Sequence, residues 1–583
     1  MKTLSGGELL AQMLHEEGVK HVFGIIDGTY FGFYSNLKKY GIELISPRHE
    51  TNVMHIAGAY ARLTGRLGVG MASNGPGVAN VLPGVAVEHG EGNRVLLITS
   101  SRRTGIIYPD RGGAFQYFNQ TGAIGAISKL SLAVPHFSRL PEMARKAFRK
   151  CWQGRPGVVH LDVPEDIMNS KEKTNDLWHV ENYRRTSPIV PSLEQVESAA
   201  RLLVNARFPI IHAGSGVIHS LAFEELKQVA TVLHAPVTTS WGARGAVAET
   251  EELAIPMRHV ELNNEVRNAA DVVLVLGSRL GETDWWGKPP YWAPPDRQQM
   301  IQVDIDEEIL GANKPATLAI LADVKVFLTE LARVLEDRLG QIDFDARRAQ
   351  VQRFKKIQER HSNKLNVALK DFHTPIHSAQ AVHICQEFFE KDAVCVADGG
   401  NTTVWANFYT QLQQPHTFIS TFKFGMLGAG IAQALGAAVA RPDKQVYCII
   451  GDGAMGFQAQ ELETAVRNGL RITYIVLCDK QWGMVKMNQQ FALKPLKTLI
   501  KKSLDASETI NTDLHEIQFD KLAESMGAHG ERVSSPGELK AALERCEAAG
   551  RCSVIHVDVD PVKHLWAPSL IHFKKMHEEP VGY

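Results

Sequence analysis

The feature that most constrains this chain is a short apolar run with no polar face, repeated from end to end. The runs "HVFGII", "LGVGMAS", "RVLLITS" and "GVVHLDVP" come first. "FPIIHAG", "APVTTS", "DVVLVLGS" and "QMIQVDID" follow in the middle, and "AVCVADG", "QVYCIIGDG", "ITYIVLCD" and "SVIHVDVD" come last. A strand with one wet face alternates apolar and polar residues, whereas these runs are apolar on both faces. Helix-like patterns separate them, and such alternation builds parallel sheets covered on both sides. The expectation is an α/β protein with three doubly wound parallel-sheet domains.

Two polar connectors set the divisions. One lies near Asn169–Ser192. The other, near Asp337–Ser378, carries acid–base spacing suited to an exposed helix. The expected domains are residues 1–175, 190–340 and 370–560, with 561–583 as a tail. A length of 583 residues suits about three or four domains.

A formal net charge of -1 provides no global field for nucleic acid or an anionic membrane, and no domain is basic. No run approaches the ~20 apolar residues of a membrane span. The start, "MKTLSGGELLAQMLHEEGVKHVFGI", reads as an amphipathic helix and a strand, not a signal peptide. Seven cysteines lack CxxC spacing, which argues against zinc or a disulfide framework and fits a reducing cytoplasm.

The chemistry concentrates in Val446–Met484. One apolar run stops at Gly451-Asp452-Gly453 and the next stops at Asp479. Ligands collect at the carboxyl ends of parallel strands. The two glycines permit close backbone approach, and Ala454 and Met455 begin a helix whose free N–H groups suit an anion. Asp452 would repel that anion directly, so it makes sense as a ligand to a hard cation such as Mg²⁺ that bridges to phosphate. Asp479 supplies a second oxygen and the Gln481 carbonyl a third. The bland alternative for GDG is an ordinary turn.

GDG followed, after a helix and a strand, by a metal-binding pair resembles the signature of thiamine-diphosphate enzymes. The usual pair is Asn-Asn; here it is Cys478-Asp479, which adds negative charge that Lys480 could offset. Five further segments resemble the family. "ISPRHETNVMHIAGAYARLTG" resembles its glutamate segment, implying that Glu50 hydrogen-bonds the cofactor's aminopyrimidine and shares a proton with it. "ASNGPG" resembles its SGPG turn, with Gly75. "GGAFQYFNQ" resembles the AFQ segment of acetolactate synthases and puts Gln116 at the reaction centre. "VADGGNTTVW" implies diphosphate contacts from Gly400, Asn401 and Thr402. "STFKFGMLGAGIAQALGAA" implies that Leu427, or alternatively Met426, wedges between the cofactor's rings.

The resemblance spans most of the chain and points to the acetolactate synthase, benzaldehyde lyase and 2-hydroxyacyl-CoA lyase branch. It implies pyrimidine-binding, middle Rossmann-like and diphosphate-binding domains. It also implies a site shared between subunits, hence a homodimer at minimum and plausibly a homotetramer. The reaction implied is carboligation or decarboxylation of a 2-oxo acid; the alternative is cleavage of a 2-hydroxyacyl-CoA to a carbonyl product and formyl-CoA. Asp27, Thr29 and Tyr30 lie on the loop that faces substrate in relatives. The middle unit leaves open FAD or ADP, through Asp306 and Asp323, against a fold that has lost its nucleotide. "SSRRTG" and "LKPLKTLIKKSL" are candidate anion contacts or solvated faces. Trp566, Leu570 and Phe573 mark a lid or a docked terminus.

Overall fold

The computed structural model describes residues 2–421, 423–570, 578 and 580. Each apolar run above contributes a strand. The first sheet is parallel, in the order Glu43–Ile45, His21–Gly24, Gly68–Ala72, Val95–Ser101, Val158–Pro164, Leu130–Ala133. The last sheet is parallel too: Phe418–Ile419, Val394–Asp398, Val446–Gly451, Ile472–Cys478, Ser553–Asp558, His529–Val533. Counted along the chain, both orders read second, first, third, fourth, sixth, fifth. The middle sheet has five parallel strands: Val237–Thr239, Pro209–Ala213, Val272–Leu276, Gln299–Asp304, Leu318–Leu321. Strand Lys2–Ser5, which the sequence did not announce, pairs antiparallel with Lys171–Thr174 in the first connector.

The first and last sheets share one core. Helix Glu50–Thr64 packs along helix Ala429–Ala440, both rich in Ala and Gly. Small side chains bring the backbones together: a Cβ on Gly436 would stand 2.4 Å from the Ile56 carbonyl oxygen. Val53, Ile56 and Ala57 join Ile431, Leu435 and Ile450 in the same buried cluster. Burial is the main stabilising term, roughly 25 cal/mol per Å² of apolar surface. The middle domain is fastened by Arg244, which is buried, bonds Glu249, and donates to the carbonyls of Asn407 and Thr410.

The second connector departs from expectation. Helix Phe344–Asn366 forms, capped by Asp343, yet it is not wholly exposed. Arg347 is fully buried and donates to the carbonyls of Leu233, Leu203, Val204 and Ala206. A cation in a charged-looking run thus satisfies loop carbonyls that would otherwise be buried without donors. Among the described residues, no helix is long and apolar enough to cross a membrane.

Candidate active site

In doubly wound sheets ligands sit where the strand order reverses. In the last sheet that point lies between Val394–Asp398 and Val446–Gly451. A cavity of about 90 Å³ opens there, lined by Gly400, Asn401, Thr402, Leu427, Gly451, Asp452, Gly453, Ala454, Asp479 and Gln481. These are sequence candidates. Trp482, Gly483, Met484, Val485 and His564 complete the wall and were not singled out. Three helices begin on this wall: Asn401–Tyr409, Asp452–Gln458 and Gly483–Leu493. None has an N-cap side-chain bond, so, apart from the Gly453 N–H that Asp452 takes, their first N–H groups are left for a ligand. Side chains would close the space, since a Cβ on Gly453 would lie 2.7 Å from the Trp482 ring and one on Gly483 2.7 Å from the Asn401 amide nitrogen.

Asp452 and Asp479 stand side by side here. Asp452 accepts from the Gly453 N–H and the Lys480 N–H, both at 2.7 Å. Asp479 is 6% exposed, and its Oδ2 has no hydrogen-bond partner. Burial raises both carboxyls above their usual range; for Asp479 the Asp452 charge adds to the effect, and for Asp452 backbone N–H bonds oppose it. Lys480 does not offset the pair with its ammonium, which turns to Glu516 at 2.9 Å. Its backbone donor does that work, in a left-handed conformation (φ 59°) that costs a non-glycine residue roughly 1–2 kcal/mol. An oxygen-rich pair, one member buried and one half-buried, beside uncapped helix starts has the donors that would hold a divalent cation together with a diphosphate.

Two candidates in this region are placed differently from the rest. The Met455 side chain is fully buried in the shared core, because that face of its helix packs inward, so only its backbone is near the site. Of Leu427 and Met426, it is Leu427 that lines the cavity. His564, on helix Pro561–Leu565, bonds Ser378 through Nδ1 at 2.7 Å, and its carbonyl accepts from Trp405. The described start of the tail, residues 561–570, is therefore docked through this point. Trp566 donates to the Lys502 carbonyl and Leu570 packs on the core, while Phe573 lies outside the described residues.

The first sheet presents a different edge. Glu50 starts its helix half-buried, and Asn80 Nδ2 donates to its Oε2 at 3.0 Å. It is not among the residues lining the cavity around Asp452 and Asp479. Its neighbours Arg48 and Asn52 bond Glu461, which starts the helix after the GDG helix, and Asn52 also bonds Gln458 at the GDG helix's last position. Gly75 (φ 65°) and Gln116 (φ 52°) meet, a Cβ on Gly75 falling 2.6 Å from the Gln116 carbonyl oxygen. Asn74 donates to that carbonyl and takes a bond from its own N–H to Ser100 Oγ. Ser100 Oγ lies 2.6 Å from Thr29 Oγ1, which in turn donates to Asp27. Tyr30 is 1% exposed with its hydroxyl on the Ile25 carbonyl, so it packs as core and does not face substrate. Asn74 and Ser100 fall inside segments that the sequence pattern singles out, but that pattern assigns no role to them or to Asn80.

Most of the other candidate anion contacts are already engaged, Lys501 and Lys502 excepted. Arg102 and Arg103 both pair with Glu165, and Lys494 and Lys497 both pair with Glu508. In the middle domain, Asp306 caps a turn and Asp323 caps helix Val324–Glu336. The cavity there, about 360 Å³, is lined instead by Ser215, Gly216, Gly277, Arg155, Arg279 and Asp304, among others.

A three-domain α/β enzyme that holds a diphosphate cofactor at strand ends is the class this fold and site define. Three family descriptions match the chain: "Thiamine pyrophosphate enzyme, N-terminal TPP binding domain" over residues 4–123, the central domain over 196–331, and the C-terminal TPP binding domain over 398–557. The acetolactate synthase large subunit of Haemophilus influenzae is 29% identical over 99% of this chain and 98% of its own length. Acetolactate synthase isozyme 3 large subunit of Escherichia coli is 28% identical over 97% and 96%. A probable acetolactate synthase large subunit of Methanocaldococcus jannaschii is 28% identical over 96% and 93%. The chain belongs to the thiamine pyrophosphate enzymes, in the acetolactate synthase branch, and acts on carbon–carbon bonds.

Proposed function

We propose that this enzyme is an acetolactate-synthase-like carboligase that decarboxylates a 2-oxo acid and joins the remaining fragment to a second carbonyl. The observation that carries this reading is the carboxylate pair with its unpartnered oxygen, set in a cavity of uncapped helix starts, in a chain matched end to end by acetolactate synthase large subunits. Asp452, Asp479 and the Gln481 carbonyl hold Mg²⁺. The helix starts at Asn401, Asp452 and Gly483, with Gly400, Thr402, Gly451, Gly453 and Ala454, hold the diphosphate. Leu427 supports the bend between the rings. Bound thiamine diphosphate supplies a nucleophilic carbon and an electron sink.

The chain's own chemistry is positional and acidic. Asn80 fixes Glu50, whose carboxyl shares a proton with the cofactor's pyrimidine ring. Glu50 stands off its own chain's cation cavity, so it serves the site of a second copy; a homodimer is the smallest competent assembly, and we propose a homotetramer. Gly75 and Gln116 approach the reacting carbon, and the Asp27–Thr29 loop faces substrate. The middle cavity takes an adenine nucleotide, FAD or ADP, with Arg155 and Arg279 toward its phosphates. Seven buried, unpaired cysteines suit the cytoplasm.

The 2-hydroxyacyl-CoA alternative needs free cations for coenzyme A phosphates, and of those first considered Lys494, Lys497, Arg102 and Arg103 are held by Glu508 and Glu165, which leaves Lys501 and Lys502. Release of CO₂ from a 2-oxo acid is the expected activity. Formyl-CoA from a 2-hydroxyacyl-CoA, with no CO₂ from any 2-oxo acid, would replace this reading.

A further inference from the structure

A buried carboxylate, Asp479, and a half-buried one, Asp452, on neighbouring strand ends need a compensating charge. For Asp452 two backbone N–H groups contribute. For Asp479 Oδ2 no donor is present, although the residue is 94% buried by its 6% exposure. The cations nearby are engaged elsewhere: Lys480 with Glu516, and Lys486, 3% exposed, with Asp513 at 2.7 Å.

A second acid group close by makes the contrast. Glu516, His556 and Asp558 come within 4.8 Å of one another, yet Glu516 and Asp558 are covered by Arg532, and Glu516 also by Lys480. That cluster is complete as it stands. The pair at 452 and 479 is not.

We propose that Asp479 makes this a cation site in its own right, filled by a divalent metal before the diphosphate arrives and without its help. The inference rests on the cation role given to Asp452 and Asp479 above. A neutral amide at 479 would offer an oxygen but no charge, so the metal would depend on the diphosphate's oxygens for its hold. An aspartate reverses the dependence. Two carboxylates attract the metal strongly, and until it is bound they repel the cofactor's phosphates. Assembly is therefore ordered, metal first.

The test uses the full chain, stripped by chelator, and Mn²⁺ alone followed by paramagnetic resonance. One Mn²⁺ per chain is expected to bind without thiamine diphosphate. Asp479→Asn is expected to weaken binding of Mn²⁺ alone at least tenfold while leaving binding in the presence of the cofactor within a few fold. If the wild-type chain takes up Mn²⁺ only once cofactor is added, the ordering is wrong while the metal site stands. If it takes up none with or without cofactor, the metal site itself is wrong. The wild-type measurement alone decides between these, so the outcome does not depend on the variant folding.

Discussion

The first and last sheets share a strand order and a hydrophobic core, yet their carboxyl ends are built differently. The last sheet's edge is unfinished: Asp479 Oδ2, Asn401 Oδ1 and Gln481 Oε1 are buried without partners. The first sheet's edge carries a continuous bonded chain, from Asp27 through Thr29, Ser100 and Asn74 to Gln116, although Ser101 Oγ beside it is buried without a partner. Unsatisfied buried polar groups are costly, so a native protein that keeps them is built to receive something. A satisfied network instead fixes positions. On the proposed reading, one edge holds the ligand and the other holds still what acts on it.

Substitutions can break this contrast. The largest effect is expected at Glu50: Glu50→Gln should leave cofactor binding and the fold intact and slow turnover by ~10²–10⁴-fold, the usual range for a positioned acid–base group. Steady-state rates beside cofactor titration check it. At the unfinished edge, Asp452→Asn should instead act on holding, lowering cation affinity at least ~100-fold, measured by calorimetry. A loss of turnover at Asp452 with undiminished cation affinity would erase the division of labour. Asn80→Ala, which frees Glu50 without removing it, should cost roughly tenfold, a value typical of a residue acting through another; its rate should stay well above that of Glu50→Gln.

A smaller effect concerns the seam between the two regions. Glu91, in the first domain, accepts from the Phe424 N–H of the last. Burial pushes its carboxyl up to about 7, against an ordinary value of 4.5. The folded chain thus keeps a proton that the unfolded chain has released in that window. Stability from this group should be present at pH 4.5 and fall as pH rises toward 7, by on the order of 1–3 kcal/mol. Urea unfolding of Glu91→Gln should lack that part of the slope.

Why parts of this were legible in the sequence follows from burial. Central strands are apolar on both faces, and each announced itself. The strands of the three parallel sheets that escaped notice, Glu43–Ile45, Leu130–Ala133, Leu318–Leu321, Phe418–Ile419 and His529–Val533, all lie at sheet edges, as do Lys2–Ser5 and Lys171–Thr174 of the two-stranded sheet. An edge strand is short and half wet, so its pattern is weak. In the site, residues at strand ends with glycines beside them could be read: Asp452, Asp479 and Gly400 line the cavity. Side-chain direction could not. Whether Lys480 offers its ammonium or its backbone N–H, and whether Tyr30 faces inward, depend on packing that no local pattern encodes. His564 reaches the cavity from far along the chain, through tertiary docking alone.

The central claim is that two unlike sheet edges, from different copies, complete one site. It is tested most directly by mixing two inactive chains, Glu50→Gln and Asp452→Asn, dissociating and reassociating them, and following exchange of the cofactor's C2 hydrogen with deuterium. If the edges come from different copies, half of the randomly formed dimers hold one intact site each, and exchange should return to roughly a quarter of the wild-type rate, by the same reasoning that makes symmetric interfaces reciprocal. If both edges came from a single chain, every site would carry one lesion and the mixture would stay as inactive as its parents.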